Sequence, residues 1–174
     1  MSLVLSDVFC LDPGLRGSGF AYFAGGELRH AAYVKNEHEG RGPPAHRAMA
    51  RAVYPKLLSN GQSPVCLVEF PQVYPDMQHV KGGLNALNDL LDVAGVAAAV
   101  AAVCPSHYSV RFFLPREWKG TIAKDIMTER IRRSLTERER RCIVSVGSKD
   151  HNTLDAIGIG LHALGRLNKK VYPS

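Results

Sequence analysis

Two short apolar runs in this chain each end in a single acid. Leu11-Asp12-Pro13-Gly14 closes a run that begins at about Val4, and Cys66-Leu67-Val68-Glu69 closes another that opens after Pro64. Runs of this length and composition read as buried β-strands, so each carboxylate stands at a strand exit. A third acid, Asp155, falls on the last helical stretch. The three meet only if the strands lie side by side with that helix over them. Carboxylates gathered this way push one another's pKa upward unless cations neutralise them. Hard cations with oxygen ligands, Mg²⁺ or Mn²⁺, suit such a set.

The rest of the chain is basic. A formal charge of +6 over 174 residues favours an anionic partner, and the length suits one domain over 1–174 with a real core. An acidic site inside a basic chain implies metal-assisted chemistry on a polyanion. Residues 170–174 read as a frayed tail. The first residues carry no basic run before an apolar one, so no targeting segment is expected. The longest apolar run, Val93 to Val103, falls short of the roughly 20 residues of a membrane span and reads as a buried helix. Cys10, Cys66, Cys104 and Cys142 show no paired spacing and read as reduced thiols of a cytoplasmic protein.

Gly19 to Phe23 and Leu28 to Val34 read as strands joined by the turn Ala24-Gly25-Gly26-Glu27. Ala45 to Val53 repeats apolar residues at helical spacing, and Leu84 to about Val103 forms a long helix with Asn85, Asn88, Asp89 and Asp92 on its polar side. Phe70 to Gly83 is a loop and Tyr108 to Leu114 a strand. Ile122 to Leu135 forms a basic helix with Ile122, Ile126, Met127, Ile131 and Leu135 inward, and Thr136 to Glu139 matches a capping box. A last helix covers about Thr153 to Leu167. That order gives an α/β domain, a mixed sheet covered by helices.

Four pieces of text in this order resemble a known family. They are Leu11-Asp12-Pro13-Gly14-Leu15-Arg16-Gly17-Ser18-Gly19, Val68-Glu69-Phe70-Pro71-Gln72-Val73-Tyr74, Ala86-Leu87 through Ala94-Gly95-Val96-Ala97, and Leu154-Asp155-Ala156-Ile157-Gly158-Ile159. Together they are similar to the RuvC-type Holliday junction resolvases of the RNase H-like superfamily, especially the small phage-type relatives. The resemblance implies a mixed five-stranded sheet flanked by helices. It also implies a homodimer that cuts branched DNA by phosphodiester hydrolysis with two Mg²⁺ (or Mn²⁺) ions per site, in a bacterial or phage-infected cytoplasm. No membrane and no nucleotide cofactor are implied.

Carried over residue by residue, Asp12, Glu69 and Asp155 are the metal-binding and catalytic acids, with Asp12 as the bridging carboxylate. The family usually carries Asp or His three residues before the last acid, where this chain has Asn152. His151 and Asp150 are the candidates for that ligand, His151 preferred, and Asn152 reads as a helix cap. Lys119 and Lys124 stand where the family places lysines beside the scissile strand. Tyr74, ahead of Phe70, matches an aromatic wedge at the junction centre. Arg16, Lys81, Arg116, Arg132 and Arg133 complete the expected DNA contacts, the last two inside a run of arginines interleaved with Glu129, Glu137 and Glu139. Trp118 reads as packing.

Three other readings share these residues. The same fold and metals can act on RNA–DNA hybrids, flaps or other replication intermediates. A relative without catalysis can bind DNA alone, a reading that the Asn152 departure supports. Asp12-Pro13-Gly14 with Gly17 and Gly19 also resembles a phosphate-binding hairpin of actin-like ATPases, which use two such domains.

Overall fold

The computed structural model describes residues 7–59, 65–72, 83–145, 147 and 150–167, with the side chains of Leu84 and Asp150 outside the description. Tyr74, Lys81 and the 170–174 tail therefore lie outside the described residues. The centre is a five-stranded sheet in the order β3-β2-β1-β4-β5. Strands β1 (Val8–Asp12), β2 (Gly17–Ala24) and β3 (Glu27–Lys35) form an antiparallel meander. Strands β4 (Val65–Glu69) and β5 (Ser109–Phe113) add in parallel on the other side of β1. The β2–β3 turn sits on Gly25 and Gly26 at φ 60° and 76°, a left-handed pair that glycine adopts without strain.

Helices cover both faces, so the inner strands are apolar throughout instead of alternating. On one face lie α1 (Pro43–Ser59) and α2 (Gly83–Val103), packed on Phe9, Leu11, Phe20, Cys66 and Val68. The other face carries α3 (Pro115–Trp118), α4 (Lys124–Ser134), α5 (Glu137–Arg140) and α6 (Asp150–Ala163), over Val8, Cys10, Ala21, Phe23, Val65 and Leu67. Strand parity then fixes the acids. Asp12 continues the Val8–Cys10 row and Glu69 the Val65–Leu67 row, so both point to the α6 side.

Helix α6 lies close on β2. A Cβ at Gly19 would stand 2.0 Å from the Asn152 carbonyl oxygen, so only a residue without one allows this approach. Asn152 itself donates from Nδ2 to the Gly17 carbonyl at 3.2 Å. Contrary to expectation it is not the cap, because α6 already begins at Asp150 and Asn152 serves as a strap between helix and strand.

The elements depart from the expected ones in five further places. Helix α1 continues past Val53 to Ser59 with Pro55 inside it, burying Leu57 as an extra anchor. Ile126 on α4 is 42% exposed, because the inward stripe is the narrower Met127–Ile131–Leu135 set. Helix α6 ends at Ala163, and the one-turn α3 after β5 was not foreseen. Lastly, α2 is not a buried helix. Leu91 is 69% exposed and Ala98 and Ala102 share its exposed stripe, while Val96, Ala97 and Val100 face the core.

Over Asn85–Val103 α2 is long and apolar enough to cross a membrane by length and composition, with mean hydropathy 1.7. Its polar contacts argue against that use. Asp92 is buried and accepts from Arg41 Nε at 2.7 Å, from the Gly42 N–H at 3.0 Å and pairs with His46 Nε2 at 2.9 Å. These bonds latch α2 to the start of α1, and they outweigh the burial cost to hold Asp92 below the usual carboxylate range.

All four cysteines are free. Cys66 and Cys104, 38 positions apart in sequence, are brought into side-chain hydrogen-bond contact between β4 and the end of α2.

Candidate active site

Asp12 and Glu69 end adjacent parallel strands, one residue beyond the Leu11–Val68 pair. Both line a cleft of about 360 Å³ together with Pro13, Pro71, Gln72, Lys119 and the α2 residues Leu90 and Val93. Asp155, one turn into α6, reaches the same place through Lys119. The Lys119 ammonium lies 3.3 Å from Asp155 Oδ2 and 3.5 Å from Glu69 Oε2, and 4.8 Å from the Trp118 ring centroid. The buried Trp118 donates from Nε1 to Glu69 Oε2 at 2.7 Å, fixing the carboxylate as well as packing beneath it.

The electrostatics follow from this crowding. Burial, then Glu69 and Asp155, push the Asp12 carboxyl well above its ordinary range, with Lys119 and Lys124 opposing. Glu69 is raised by burial while Lys119 and the Trp118 bond pull it back and Asp155 adds to the rise. Burial alone would lower the Lys119 ammonium, but Asp155, Glu69 and Asp12 outweigh it and raise the pKa. The acids thus act on one another as a set, and the Lys119 ammonium among them is stabilised by that set.

Among the described residues no three His, Cys, Asp or Glu side chains stand close enough to grip one ion. The position between Glu69 and Asp155 is taken by Lys119. The donor chemistry nonetheless fits a hard divalent cation, with all-oxygen carboxylates, a cationic stand-in at the centre, and a further oxygen left over. Among the described residues, Gln72 Oε1 is buried on the cleft wall and meets no hydrogen-bond partner.

The other expected residues distribute as follows. Lys124 is exposed at the first turn of α4 and reaches Asp12 only through its charge. His151 is exposed on α6 and lines a second groove with Arg16, instead of the cleft that holds Asp12 and Glu69. Asp150 opens the same helix. Arg116 lines a third depression beside Trp118 and Lys119. Arg132 and Arg133 line a fourth with Arg140 and Ser145, and Arg133 Nε donates to Glu129 Oε1 at 2.7 Å. Phe70 is partly buried against the core under α1 and α2 and packs edge-on against the exposed Phe112 at 5.3 Å. Asp89 bonds Arg41. Gln72, Pro115 and the α2 wall were not foreseen, because no spacing rule ties them to the acids; the Trp118 bond to Glu69 had one local signal, the adjacency of Trp118 to Lys119.

No protein-family model matches the chain, and no curated protein matches it. Solved structures do. The RuvC of Thermus thermophilus in complex with Holliday junction substrate superposes with TM-score 0.61 at 18% identity, covering 90% of both chains. A second T. thermophilus RuvC structure gives 0.58 at 18% identity, covering 90% of this chain and 92% of that one. The yeast mitochondrial Holliday junction resolvase Ydc2 gives 0.54 at 11% identity, covering 95% and 82%. The fold is therefore that of the RNase H-like class. Its architecture, a mixed five-stranded sheet flanked by helices, is shared with these solved resolvase structures.

Proposed function

We propose that this protein is a metal-dependent endonuclease that resolves four-way DNA junctions by phosphodiester hydrolysis. The observation that carries the reading is the convergence of Asp12, Glu69 and Asp155 around Lys119, at the strand ends of a resolvase-like sheet. Asp12, Glu69 and Asp155 would hold the ions. Mg²⁺ or Mn²⁺, when bound, supplies charge neutralisation and a lowered pKa for the attacking water. Trp118 orients Glu69 by its hydrogen bond, and Lys119, displaced from between Glu69 and Asp155 when an ion takes that place, would bring its positive charge to the scissile phosphate. Leu90, Val93 and Pro115 give the cleft an apolar wall.

The test is cleavage of a mobile four-way junction, an equal-length duplex and an RNA–DNA hybrid, with Mg²⁺, with Mn²⁺ and with EDTA. The expected result is junction cleavage that EDTA abolishes. Preference for the hybrid would move the protein to the RNase H side of the fold, and junction binding without cleavage under either metal would make it a DNA-binding relative.

The same reading includes a homodimer, for which α2 provides a surface. Leu91, Ala98 and Ala102 stand at i, i+7 and i+11, one exposed stripe of small and apolar residues on which a second α2 can pack closely. Light scattering is expected to give twice the 19.0 kDa chain mass. Leu91→Arg is expected to give a folded monomer with an unchanged circular dichroism spectrum, since the side chain is exposed in the single chain, and a melting temperature lower by the loss of association. A dimer that survives the arginine would place the interface elsewhere.

A further inference from the structure

Val93 of α2 is shared by two depressions. One is the carboxylate cleft; the other is a groove of about 470 Å³ that also takes in Arg16, Tyr33, Arg41, His151 and Asn152. The chain passes directly from one to the other, since Asp12 and Pro13 line the first while Gly14 to Gly17 line the second. Two residues of extended backbone span about 7 Å, the scale of a single nucleotide step. The groove is thus continuous with the acids and has a different chemistry.

Its walls combine cations with an aromatic ring. Arg16 is exposed at the rim, where its guanidinium donates to the Glu39 carbonyl. Arg41 is held by Asp89 at 2.5 Å and Asp92 at 2.7 Å yet keeps 47% of its side chain exposed. Asp89 belongs to the same rim, with its charge tied to Arg41. The Tyr33 ring lies against bare backbone, since a Cβ on Gly17 would stand 2.1 Å from the phenol oxygen. Cations that pair with phosphate beside an aromatic that stacks on a base form the usual combination for unpaired nucleic acid, and the volume lies within the roughly 300–1,000 Å³ of small-ligand sites.

We infer that this groove is a nucleotide subsite, holding the unit next to the phosphodiester that is cut, with Arg16 and His151 on its phosphate and Tyr33 on its base or sugar. The inference rests on the nuclease reading above and assigns His151 to the substrate instead of to an ion. The test is junction binding in EDTA, which needs neither metal nor turnover. Arg16→Glu is expected to weaken binding about tenfold and to lower the slope of log affinity against log salt by about one. The same reversal at Arg51, exposed on α1, is expected to change affinity less than about twofold. A 2-aminopurine placed next to the cut site is expected to change its fluorescence on binding to the wild type and to Tyr33→Phe, but not to Tyr33→Leu.

Equal affinities for the Arg16 and Arg51 variants, or a 2-aminopurine signal indifferent to Tyr33→Leu, would overturn the subsite while leaving wild-type cutting intact. A wild type that shows no junction preference and no cutting would instead remove the nuclease reading, and this subsite with it.

Discussion

Asp12→Asn is expected to lower the junction-cleavage rate at least about a thousandfold, roughly 4 kcal/mol of barrier, while junction affinity in EDTA changes little. Asn keeps the shape of Asp while replacing the charged carboxylate with a neutral amide, at the strand end where Glu69 and Asp155 also converge. The same substitution is expected to stabilise the metal-free fold. A carboxyl whose folded pKa is raised contributes its full stability below the ordinary value, and loses it progressively as pH climbs toward the raised one. Burial and the two neighbouring acids raise Asp12 in this way, so near neutral pH the acid costs stability that Asn does not. Each kcal/mol recovered would lift the melting temperature by about 3 °C for a chain of this size.

The opposite signs make the result diagnostic. A residue with a packing role alone would lose activity and stability together. Wild-type cleavage by Asp12→Asn would mean that the centre has been misplaced. Glu69→Gln and Asp155→Asn are expected to follow the same kinetic pattern. Glu69→Gln has a smaller stability gain, because Glu69 already receives the Trp118 and Lys119 contacts.

The strand ends were legible in the sequence because burial on both faces leaves an unbroken apolar run, and an acid at its exit stands out against it. Val65–Glu69 matched its expected bounds, and the Gly25–Gly26 turn and the Thr136 capping box matched because each depends on local backbone chemistry. The second half of α2 misled for the converse reason. An alanine-rich run looks alike whether its far side meets the sheet or a second protein, and only tertiary structure separates Val96 from Ala98. The apolar repeat legible in the sequence stopped at Val53, and the buried Leu57 carries α1 on past Pro55.

Long-range pairing was also hidden. Asp92 read as part of a polar stripe and His46 carried no assignment, yet the two join α1 to α2 across 46 positions. The three acids were visible one by one. The Lys119 contact between two of them depends on how α3 turns the chain after β5, and no local spacing encodes that.

The largest expected effect on stability lies away from the cleft, at Arg166. Its guanidinium grips both oxygens of Glu139 at 2.7 and 2.8 Å and also donates to the Gly26 carbonyl at 2.6 Å and the Ser134 carbonyl at 3.3 Å. Glu139 is 2% exposed and accepts further from the Leu28 N–H at 2.8 Å and the Thr136 N–H at 2.9 Å. One carboxylate thereby ties α5, the β2–β3 hairpin and the end of α6 together. Arg166→Met would leave that charge buried without its cation, at a cost of about 3–5 kcal/mol.

The pH dependence carries the sign of the mechanism. Burial would raise the Glu139 carboxyl, but the Arg166, Leu28 and Thr136 bonds outweigh it and hold the pKa at about 2, below the ordinary 4.5. A depressed acid contributes stability that is present above the ordinary value and lost as pH falls toward the folded one. In Arg166→Met the carboxyl loses the first of the bonds that lower it and moves upward from its wild-type value, so acid weakens the variant less than it weakens the wild type. Urea unfolding at neutral pH and in mild acid is therefore expected to show a wide gap that narrows on acidification. Adding Glu139→Gln to Arg166→Met is expected to recover part of the loss at neutral pH. A gap that stays constant with pH would show that Arg166 acts through packing of its stem and not through the buried charge.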